Sequence, residues 1–303
     1  MRVVSYLGGV PNLTKKSEKL EMLERFAEGV NRYGDEGIAN SERKLLQADV
    51  GVIQGWVHAD SPKTAHLQLR RNVANNLKNK HTIIIDSNLF LYAGKQHQYH
   101  RYSMDDVFPN TGNYFDSIVD PNRWKQISQD YNITLKDWHS RGPNIVVCLQ
   151  RNGGWSMGGT GVVDWLRKTV KMIRRNSQRP IIVRAHPGDR RVNEYLPRVL
   201  QELNLQQSSY ENIQDDFNRA HCVVTYNSSP GVAAAIEGIP VFVTDPFPER
   251  SQACAVANKK FSDLESPLEF ERQAWIERLC MSHWNFDELS SGAAWSHIRK
   301  FCE

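Results

Sequence analysis

The chain alternates short apolar runs with longer stretches in which apolar residues recur every three or four positions. In the first half, apolar runs at residues 2–7, 50–56 and 81–85 predict buried strands. Residues 18–33 and 62–80 have the spacing of amphipathic helices. Strands that alternate with helices are typical of a parallel sheet with helices on both faces. We therefore expect a doubly wound α/β domain in the first half.

The second half repeats this pattern. Strands are predicted at residues 144–149, 180–184, 222–225 and 240–243. Helices are predicted at residues 162–175, 193–205, 212–220 and 231–236, with two or three more within residues 269–302. We therefore expect a second doubly wound domain.

Between the two halves, the regular pattern dissolves into an aromatic and polar tract at residues 92–138. A long irregular segment in a compact domain is usually functional or covers a neighbouring element. Gly142 and Pro143 are typical of a linker. We therefore predict one domain at residues 1–142 and a second at residues 143–303.

Composition limits the class of protein. A chain of 303 residues that is 40% hydrophobic and 24% charged matches a soluble globular protein with two domains of ordinary size. The net charge of +4 permits an anionic partner without requiring one. Five scattered cysteines predict reduced core residues rather than a disulfide framework or a metal cage. No apolar run approaches the roughly 20 residues that span a bilayer, so we expect a cytoplasmic protein with no membrane partner.

Three loops in the second half carry groups that bind phosphate. The first is a glycine-rich loop, the second holds an arginine and a histidine, and the third is a serine-rich turn at the start of a helix. Because parallel strands end at one edge of a sheet, these loops together predict a pocket for a diphosphate. The candidate residues are Arg151, Arg184, His186, Ser228, Ser229 and Gly231.

Each of these signals has an alternative. Taken singly, Ser229 is most simply an N-cap and His186 a structural hydrogen-bonding residue. No Gly-Lys-Ser/Thr follows a strand, which argues against a P-loop. Gly8 and Gly9 lack the third glycine and the ribose-binding acid of a dinucleotide fingerprint. Kinase and dehydrogenase functions are therefore disfavoured.

Four segments of the second half occur in order: LQRNGGWS, VRAHPGD, TYNSSPGVAAAIEGIPVFVTDP and RQAWIERLCMSHWNFDELSSGAAW. Together they resemble glycosyltransferases of the capsule-polysaccharide type, which have the GT-B fold. The resemblance implies two doubly wound, Rossmann-like domains with a cleft between them, and C-terminal helices that pack back toward the first. It also implies a nucleotide-sugar donor, such as a UDP-sugar, as co-substrate, and no further cofactor.

The same resemblance assigns roles to residues. It implies that the candidate residues of the three loops contact the donor phosphates. The family often has an acid two residues after the glycine of the third loop, where this chain has Ala233. An acid is found instead at Glu237, which would either bind donor hydroxyl groups or be solvated.

The first half resembles a narrower group of enzymes. Its segments GGVPN, GWVH, IIIDSNLFLY and RYSMDDVFPNTGNYF are similar to those of DNA-modifying glycosyltransferases of T-even-like phages. The resemblance implies that the acceptor is hydroxymethylcytosine in phage DNA, modified in the host cytoplasm. Aromatic and cationic side chains would line the path of a flipped base, and for that role we predict Tyr99, His100, Arg101 and Tyr102.

Inverting sugar transfer needs a base that removes the proton of the acceptor hydroxyl. Asp86 is the first candidate because it ends a strand, although an Asx-turn or a helix cap is an equal alternative. Asp35 is second, in a glycine-flanked loop that we expect to be mobile, and His58 is third. The sequence contains no Asp-x-Asp motif, and we predict no metal site.

Two classes of function remain open. One is a glycosyltransferase that acts on modified DNA or on a glycan. The other is a nucleotide-sugar epimerase of the same architecture, or a protein that binds nucleotides or sugar phosphates without catalysis. The sequence leaves open which sugar is moved, the stereochemical outcome and the oligomeric state.

Overall fold

The structure is a computed structural model that describes residues 1–57, 64–76, 80–94, 99–113, 118–139, 142–153 and 155–303. The chain divides into two compact units. Unit 1 comprises Met1–Asn88, Lys95–Asp130 and Glu277–Glu303, and unit 2 comprises Leu89–Gly94 and Tyr131–Ile276.

Strands and helices alternate along most of the chain. The strands are β1 Arg2–Tyr6, β2 Glu36–Asn40, β3 Val50–Gln54, β4 His81–Asp86, β5 His100–Met104, β6 Asn144–Cys148, β7 Ile181–Arg184, β8 Gln206–Gln207, β9 Ala220–Thr225, β10 Val241–Val243 and β11 His283–Trp284. The α-helices are α1 Glu18–Tyr33, α2 Ala65–Asn76, α3 Pro121–Tyr131, α4 Val162–Arg174, α5 Val192–Leu203, α6 Ile213–Phe217, α7 Pro230–Ile236, α8 Gln273–Cys280, α9 Phe286–Ser291 and α10 Ala293–Ile298. Within the described ranges, no helix combines the length and the apolar composition of a membrane span.

The sheet of unit 1 has the strand order β11-β5-β4-β3-β1-β2. Strands β1 to β4 run parallel, whereas β5 pairs antiparallel with both β4 and β11. The chain passes from β1 to β2 on one side and then returns to β3 on the other. The strand order therefore reverses between β1 and β3, and ligands of doubly wound sheets bind beyond the carboxyl ends of the strands at such a switch point.

Helix α1 covers this sheet with an apolar face. Phe26 stacks on Tyr102 of β5 with the ring centroids 6.1 Å apart, and it meets the edge of Trp295 at 6.0 Å. All three side chains are almost completely buried. Helix α1 therefore holds β5 and α10 in one hydrophobic core.

The sheet of unit 2 has the order β10-β9-β6-β7-β8, and every pair of neighbours is parallel. Its central strands β6 and β9 are continuous apolar runs, as expected for strands buried on both faces. The strand order reverses between β6 and β9. The switch point of unit 2 therefore lies between these two strands.

The domain boundary predicted at residue 142 falls inside unit 2. The Lys136 N–H donates to the Ile236 carbonyl oxygen at 3.0 Å. The His139 N–H donates to the carbonyl oxygen of Gly238 at 2.6 Å. These bonds attach residues 136–139 to the end of α7, so these residues belong to unit 2.

Every strand predicted from an apolar run is present, and the predicted α/β class with two doubly wound, Rossmann-like sheets is confirmed. The sequence analysis does not predict β2, which follows the break after α1. Its position is fixed by Asn31, whose side chain donates to the Gly37 carbonyl oxygen and accepts from the Gly37 N–H, both at 2.8 Å. Strand β5 is missed too, because it lies in the tract predicted to be irregular.

Gly29 on α1 sits against the turn between α9 and α10. A Cβ atom here would lie 1.9 Å from the Leu289 carbonyl oxygen and 3.0 Å from the Gly292 nitrogen. Because backbone atoms cannot move aside easily, we expect Gly29→Ala to lower the free energy of unfolding in urea by about 1–3 kcal/mol. Glu24→Ala, at an exposed position of the same helix, should change it by less than about 0.5 kcal/mol. Equal stability of the two variants would contradict this packing.

Candidate functional site

The carboxyl edge of the unit 2 sheet gathers the loops predicted to bind phosphate. Residues 150–159 follow β6, residues 185–189 follow β7, and residues 226–229 follow β9. These strands are adjacent in the order β9-β6-β7 and run parallel. The loops therefore emerge side by side, with the switch point between β6 and β9 among them.

The side chain of Asn227 joins three of the strand ends. Its Oδ1 accepts from Gln150 Nε2 at 2.6 Å, and its Nδ2 donates to Asp245 Oδ2 at 2.6 Å and to the Ser156 carbonyl oxygen at 3.0 Å. Asn227, Gln150 and Asp245 are all buried. The loops after β6, β9 and β10 are thus locked together by one amide group.

Asp189 makes the corresponding connection between the loops after β7 and β6. Its Oδ2 accepts from the Asn152 N–H at 3.1 Å and from the Tyr195 hydroxyl at 2.7 Å. Burial alone would raise the pKa of Asp189, but the hydrogen bonds from Tyr195, Asn152 and Arg191 outweigh it and lower that pKa. Asp189 is therefore a charged anchor of the loop rather than a ligand for phosphate.

His186 is held in one orientation by its own loop. Its Nδ1 accepts a hydrogen bond from the Gly188 N–H at 2.9 Å, so the neutral ring carries its proton on Nε2. Burial lowers the pKa of His186, and Arg151 lowers it further while Asp189 opposes both. The Nε2 atom makes no hydrogen bond with the described residues. His186 is therefore a neutral imidazole whose Nε2–H has no hydrogen-bond acceptor among the described residues.

Arg184 ends β7 as predicted, but its guanidinium group is already used within unit 2. It pairs with Asp216 at 2.6 Å and donates to the carbonyl oxygens of Tyr210 at 3.0 Å and Glu211 at 2.6 Å. Asp216 is buried, so this pair anchors the end of β7 to α6 and the chain before it. The structure gives Arg184 a structural role, in place of the expected contact with phosphate.

Arg151 has a different environment, at the start of the glycine-rich loop. Its side chain is exposed, and it makes no hydrogen bond or ion pair within the part of the chain that the structure describes. It lies close enough to His186 to lower the pKa of that imidazole. Arg151 is thus a cation without a counterion beside the free N–H of His186.

Arg250 is a candidate that the sequence analysis missed. It lies beyond β10, with its guanidinium carbon 4.4 Å from the ring centroid of the exposed Phe247. A Cβ atom on Gly158 would lie 3.8 Å from Arg250 Nη1, which places the cation beside the glycine-rich loop. No carboxylate of the described residues forms an ion pair with it. The sequence contains a basis for this candidate, because the segment PFPER follows β10 in the same way that the other loops follow their strands.

Two serines stand between β9 and α7. Ser229 occupies the N-cap position of α7, yet its side chain makes no capping hydrogen bond and is exposed. The Oγ atom of Ser228 is buried and has no hydrogen-bond partner among the described residues. Neither hydroxyl is used by the helix, so the capping alternative for Ser229 is wrong.

Gly231 and Glu237 are not placed to contact a ligand. A Cβ atom on Gly231 would lie 3.3 Å from Val241 Cγ1 and 3.4 Å from Thr225 Oγ1, so this glycine lets α7 pack on the sheet. Glu237 follows the other end of α7, about 10 Å away for seven helical residues. Its carboxylate is paired with Lys136. The structure does not bring Glu237 to the phosphate-binding loops.

Asp86 ends β4 in unit 1, and both of its carboxylate oxygens have donors. Arg101 Nη2 donates to Oδ2 at 2.7 Å, and the Ser87 N–H donates to Oδ1 at 2.8 Å. The side chain remains 21% exposed. Because each carboxylate oxygen has two lone pairs, Asp86 can still accept a proton.

The loop expected to carry a mobile Asp35 is instead fixed. Asp35 Oδ2 accepts from Trp295 Nε1 at 2.9 Å and from Arg299 Nε at 2.8 Å, and Oδ1 lies 2.5 Å from the amino group of Met1. Burial would raise the pKa of Asp35, but these hydrogen bonds outweigh it and lower that pKa to about 2. Asp35 therefore anchors the C-terminal residues of unit 1. His58, the third candidate base, lies outside the described residues.

The tract predicted to receive a flipped base is a buried strand. Tyr99 precedes β5, whereas His100, Arg101 and Tyr102 belong to it. All four side chains are at least nine-tenths buried. Tyr99 donates to Asp130 at 2.9 Å, His100 contacts Glu18 at 3.2 Å, and Arg101 pairs with Asp86. The four side chains stabilise the interior of unit 1, so they do not form the exposed surface that the prediction requires.

The described residues contain no group of three or more His, Cys, Asp or Glu side chains arranged to hold an ion. The five cysteines are free thiols, and Cys148, Cys222 and Cys280 are completely buried.

Among solved structures similar to this chain is the KpsC beta Kdo 2,4 transferase of Thermosulfurimonas dismutans, with a TM-score of 0.55 and 11% identity over 98% of each chain. The KpsC beta Kdo 2,7 transferase of that organism aligns with a TM-score of 0.49 and 12% identity over 99% of each chain. No protein-family model and no curated protein matches the sequence. At this identity the first likeness shows the fold alone, and it confirms the predicted GT-B-like class.

The network around Asn227 can be tested by removing its amide group. Asn227→Ala leaves the buried side chains of Gln150 and Asp245 without a partner, so we expect the free energy of unfolding to fall by about 1–3 kcal/mol. Asn193→Ala, at an exposed position of α5, should change it by less than about 0.5 kcal/mol. Urea titration followed by circular dichroism measures both. If the two variants unfold alike, Asn227 does not hold the loops together.

Proposed function

We propose that this protein is a glycosyltransferase that moves a sugar from a nucleotide-sugar donor to a hydroxyl group. The observation that carries the proposal is the carboxyl edge of unit 2, where a locked set of loops surrounds a switch point and leaves cationic and N–H groups unpaired. The unpaired groups are Arg151, Arg250 and the Nε2–H of His186. A diphosphate is the ligand that such groups would bind at this position.

The hydroxyl groups of Ser228 and Ser229 support the same assignment. Neither is used by α7, and they stand at the end of β9, beside the switch point. A hydroxyl can donate to phosphate oxygens without adding charge. Arg184 is left out of this set because Asp216 already neutralises it. The donor phosphates would thus be held by one neutral imidazole, two arginines and two serines.

The reaction places two demands on the protein. The bond between the anomeric carbon and the phosphate oxygen breaks with its electron pair on that oxygen, so the departing diphosphate must be stabilised. The acceptor oxygen forms the new bond to the anomeric carbon and gives up its proton to a base. We assign the first demand to the unit 2 loops and the second to Asp86 in unit 1. A UDP-sugar would serve as co-substrate, with no further cofactor.

For the acceptor, we favour a saccharide hydroxyl. The KpsC neighbour is named as a transferase of Kdo, a sugar, and shares the fold of this chain. Hydroxymethylcytosine in phage DNA is the second candidate, suggested by the resemblance of the first half. The aromatic and cationic side chains predicted to line the path of a flipped base, Tyr99 to Tyr102, are buried.

Donor binding is tested with a nucleoside diphosphate alone. Because a charge-assisted hydrogen bond contributes about 1.5–3 kcal/mol, we expect His186→Ala and Arg151→Ala each to weaken binding of UDP roughly 10- to 100-fold in calorimetry. Arg175→Ala removes an exposed arginine beyond the end of α4 and serves as the matched control, with unchanged affinity. Unchanged affinity in the His186 and Arg151 variants would remove the donor site from these loops.

The role of Asp86 as the base is tested by measuring sugar transfer. Asp86→Asn keeps the shape of the side chain but cannot accept the proton, so we expect turnover to fall by roughly 10²–10⁴-fold with UDP affinity intact. Mass spectrometry would follow the acceptor after incubation with a panel of nucleotide sugars and either oligosaccharides or hydroxymethylated duplex DNA. Normal turnover of Asp86→Asn would exclude this residue as the base.

The same panel separates the alternatives. Sugar gained by oligosaccharide supports the favoured acceptor, whereas sugar gained only by hydroxymethylated DNA supports the second candidate. Consumption of a nucleotide sugar with no acceptor present would favour an epimerase. Binding of nucleotide sugar without any turnover would favour a binding protein.

A further inference from the structure

The switch point of unit 1, between β1 and β3, is occupied by one buried cation. Arg70 extends from α2 and is only 7% exposed. Its Nε donates to the Gly9 carbonyl oxygen after β1 at 2.7 Å, and its Nη2 donates to Gln54 Oε1 at the end of β3 at 3.3 Å. The guanidinium group therefore lies beyond the carboxyl ends of β1 and β3, where open α/β sheets bind ligands.

Arg70 has no carboxylate partner among the described residues. Asp86, at the neighbouring end of β4, attracts it from a distance, but the carboxylate of Asp86 is paired with Arg101. Burial lowers the pKa of Arg70 to about 10, and Asp86 only partly offsets this effect. A buried charge without a counterion is unfavourable unless another group compensates for it. The environment of Arg70 therefore calls for an anion that the described residues do not supply.

Other positive charge surrounds the same place. Burial lowers the pKa of the His66 imidazole, and the nearby charges of Arg70 and Arg43 lower it further. Arg43 is exposed and reaches the loop after β1, where it donates to the Pro11 carbonyl oxygen at 3.3 Å. Because Asp86 is paired with Arg101, the balance of charge among the described residues here is positive.

A cavity of about 160 Å³ opens beside Arg70. It is lined by Ile53, Trp56, Val57, Arg70, Arg71, Ala74 and Asn75. Nη1 of Arg70 makes no hydrogen bond with the described residues. A Cβ atom on Gly55 would lie 3.0 Å from this nitrogen, so the glycine keeps one side of the guanidinium group uncovered. At roughly 30 Å³ for one water molecule, the cavity has room for a small oxyanion and part of a sugar ring.

We propose that this cavity binds an oxyanion of the acceptor substrate, a carboxylate or a phosphate, through the free edge of Arg70. A guanidinium group presents parallel N–H donors that match such an anion. The assignment of this anion to the acceptor rests on the proposed function, whereas the anion site itself does not. The site lies in unit 1, and its strand β3 pairs with β4, which ends at the candidate base Asp86. An anion fixed at Arg70 would orient an acceptor at the same sheet edge as that base.

The test is equilibrium binding of monosaccharide probes by calorimetry, without any nucleotide. Methyl β-D-glucuronide and glucose 6-phosphate carry the two anions, and methyl β-D-glucoside is the neutral control. We expect at least one anionic probe to bind 10-fold or more tightly than the glucoside. The tighter of the two anionic probes identifies the anion as carboxylate or phosphate.

Two variants test whether the anionic probes bind in this cavity. Arg70→Lys keeps the charge but loses the paired N–H groups, so we expect the anionic probe to bind roughly 10- to 100-fold less tightly. Ala74→Leu leaves Arg70 in place and fills the cavity, and it should weaken the same probe by at least 10-fold. Arg32→Lys, at a position 57% exposed on α1, is the matched control and should have no effect.

Three outcomes would overturn the proposal. The first is equal affinity for anionic and neutral probes. The second is unchanged binding in both Arg70→Lys and Ala74→Leu. The third is a loss of UDP affinity in Arg70→Lys, which would assign this cation to the donor. If the anionic probes bind as expected but no sugar is transferred to any acceptor, the anion site stands and the proposed function fails.

Discussion

The carboxyl edge of unit 2 depends on the amide group of Asn227. An amide is the one neutral group that can accept from Gln150 and donate to both Asp245 and the Ser156 carbonyl oxygen, and all of these bonds are shorter than or equal to 3.0 Å. Burial raises the pKa of Asp245, while hydrogen bonds from Phe247 and Asn227 and the charge of Arg250 act against that rise. These hydrogen bonds fix the ends of three strands. They do not use the side chains of Arg151, Arg250 or His186, so these groups remain available to a ligand.

The two units differ in how their charged side chains are compensated at the carboxyl edges of the two sheets. In unit 2, the unpaired cation Arg151 is exposed, where water compensates for it at little cost. In unit 1, the internal charges are mostly matched, as in the pairs of Asp86 with Arg101 and Asp35 with Arg299. Arg70 is buried and has no carboxylate partner among the described residues of this unit, so an external anion would be stabilised beside it. The proposed diphosphate site thus uses exposed cations, whereas the proposed oxyanion site uses a buried one.

The sequence predicts those features that depend on local pattern. Continuous apolar runs specify β6 and β9, and the loops after them follow directly. It does not predict β5, because a run such as HRYSM is buried only when distant residues such as Glu18 and Asp86 satisfy its polar side chains. The anchoring role of Asp35 is not predicted for the same reason, since Trp295 and Arg299 are 260 and 264 residues away along the chain. Arg184 ends β7 and Arg250 follows β10, and only the tertiary contact with Asp216 shows that Arg184 is already neutralised.

The state of His186 bears on whether the unit 2 loops catalyse or only bind. A group that holds the diphosphate equally in the ground state and the transition state improves binding without raising the rate. The pKa of His186 is lowered by burial and by Arg151, so the ring is neutral and its proton lies on Nε2. In the proposed reaction, negative charge would grow on the phosphate oxygen as the bond to the sugar breaks, and both a hydrogen bond from Nε2 and the attraction of Arg151 would strengthen. Because the Gly188 bond has already fixed the ring, this gain needs no reorganisation of the loop, which favours catalysis over simple retention of the nucleotide.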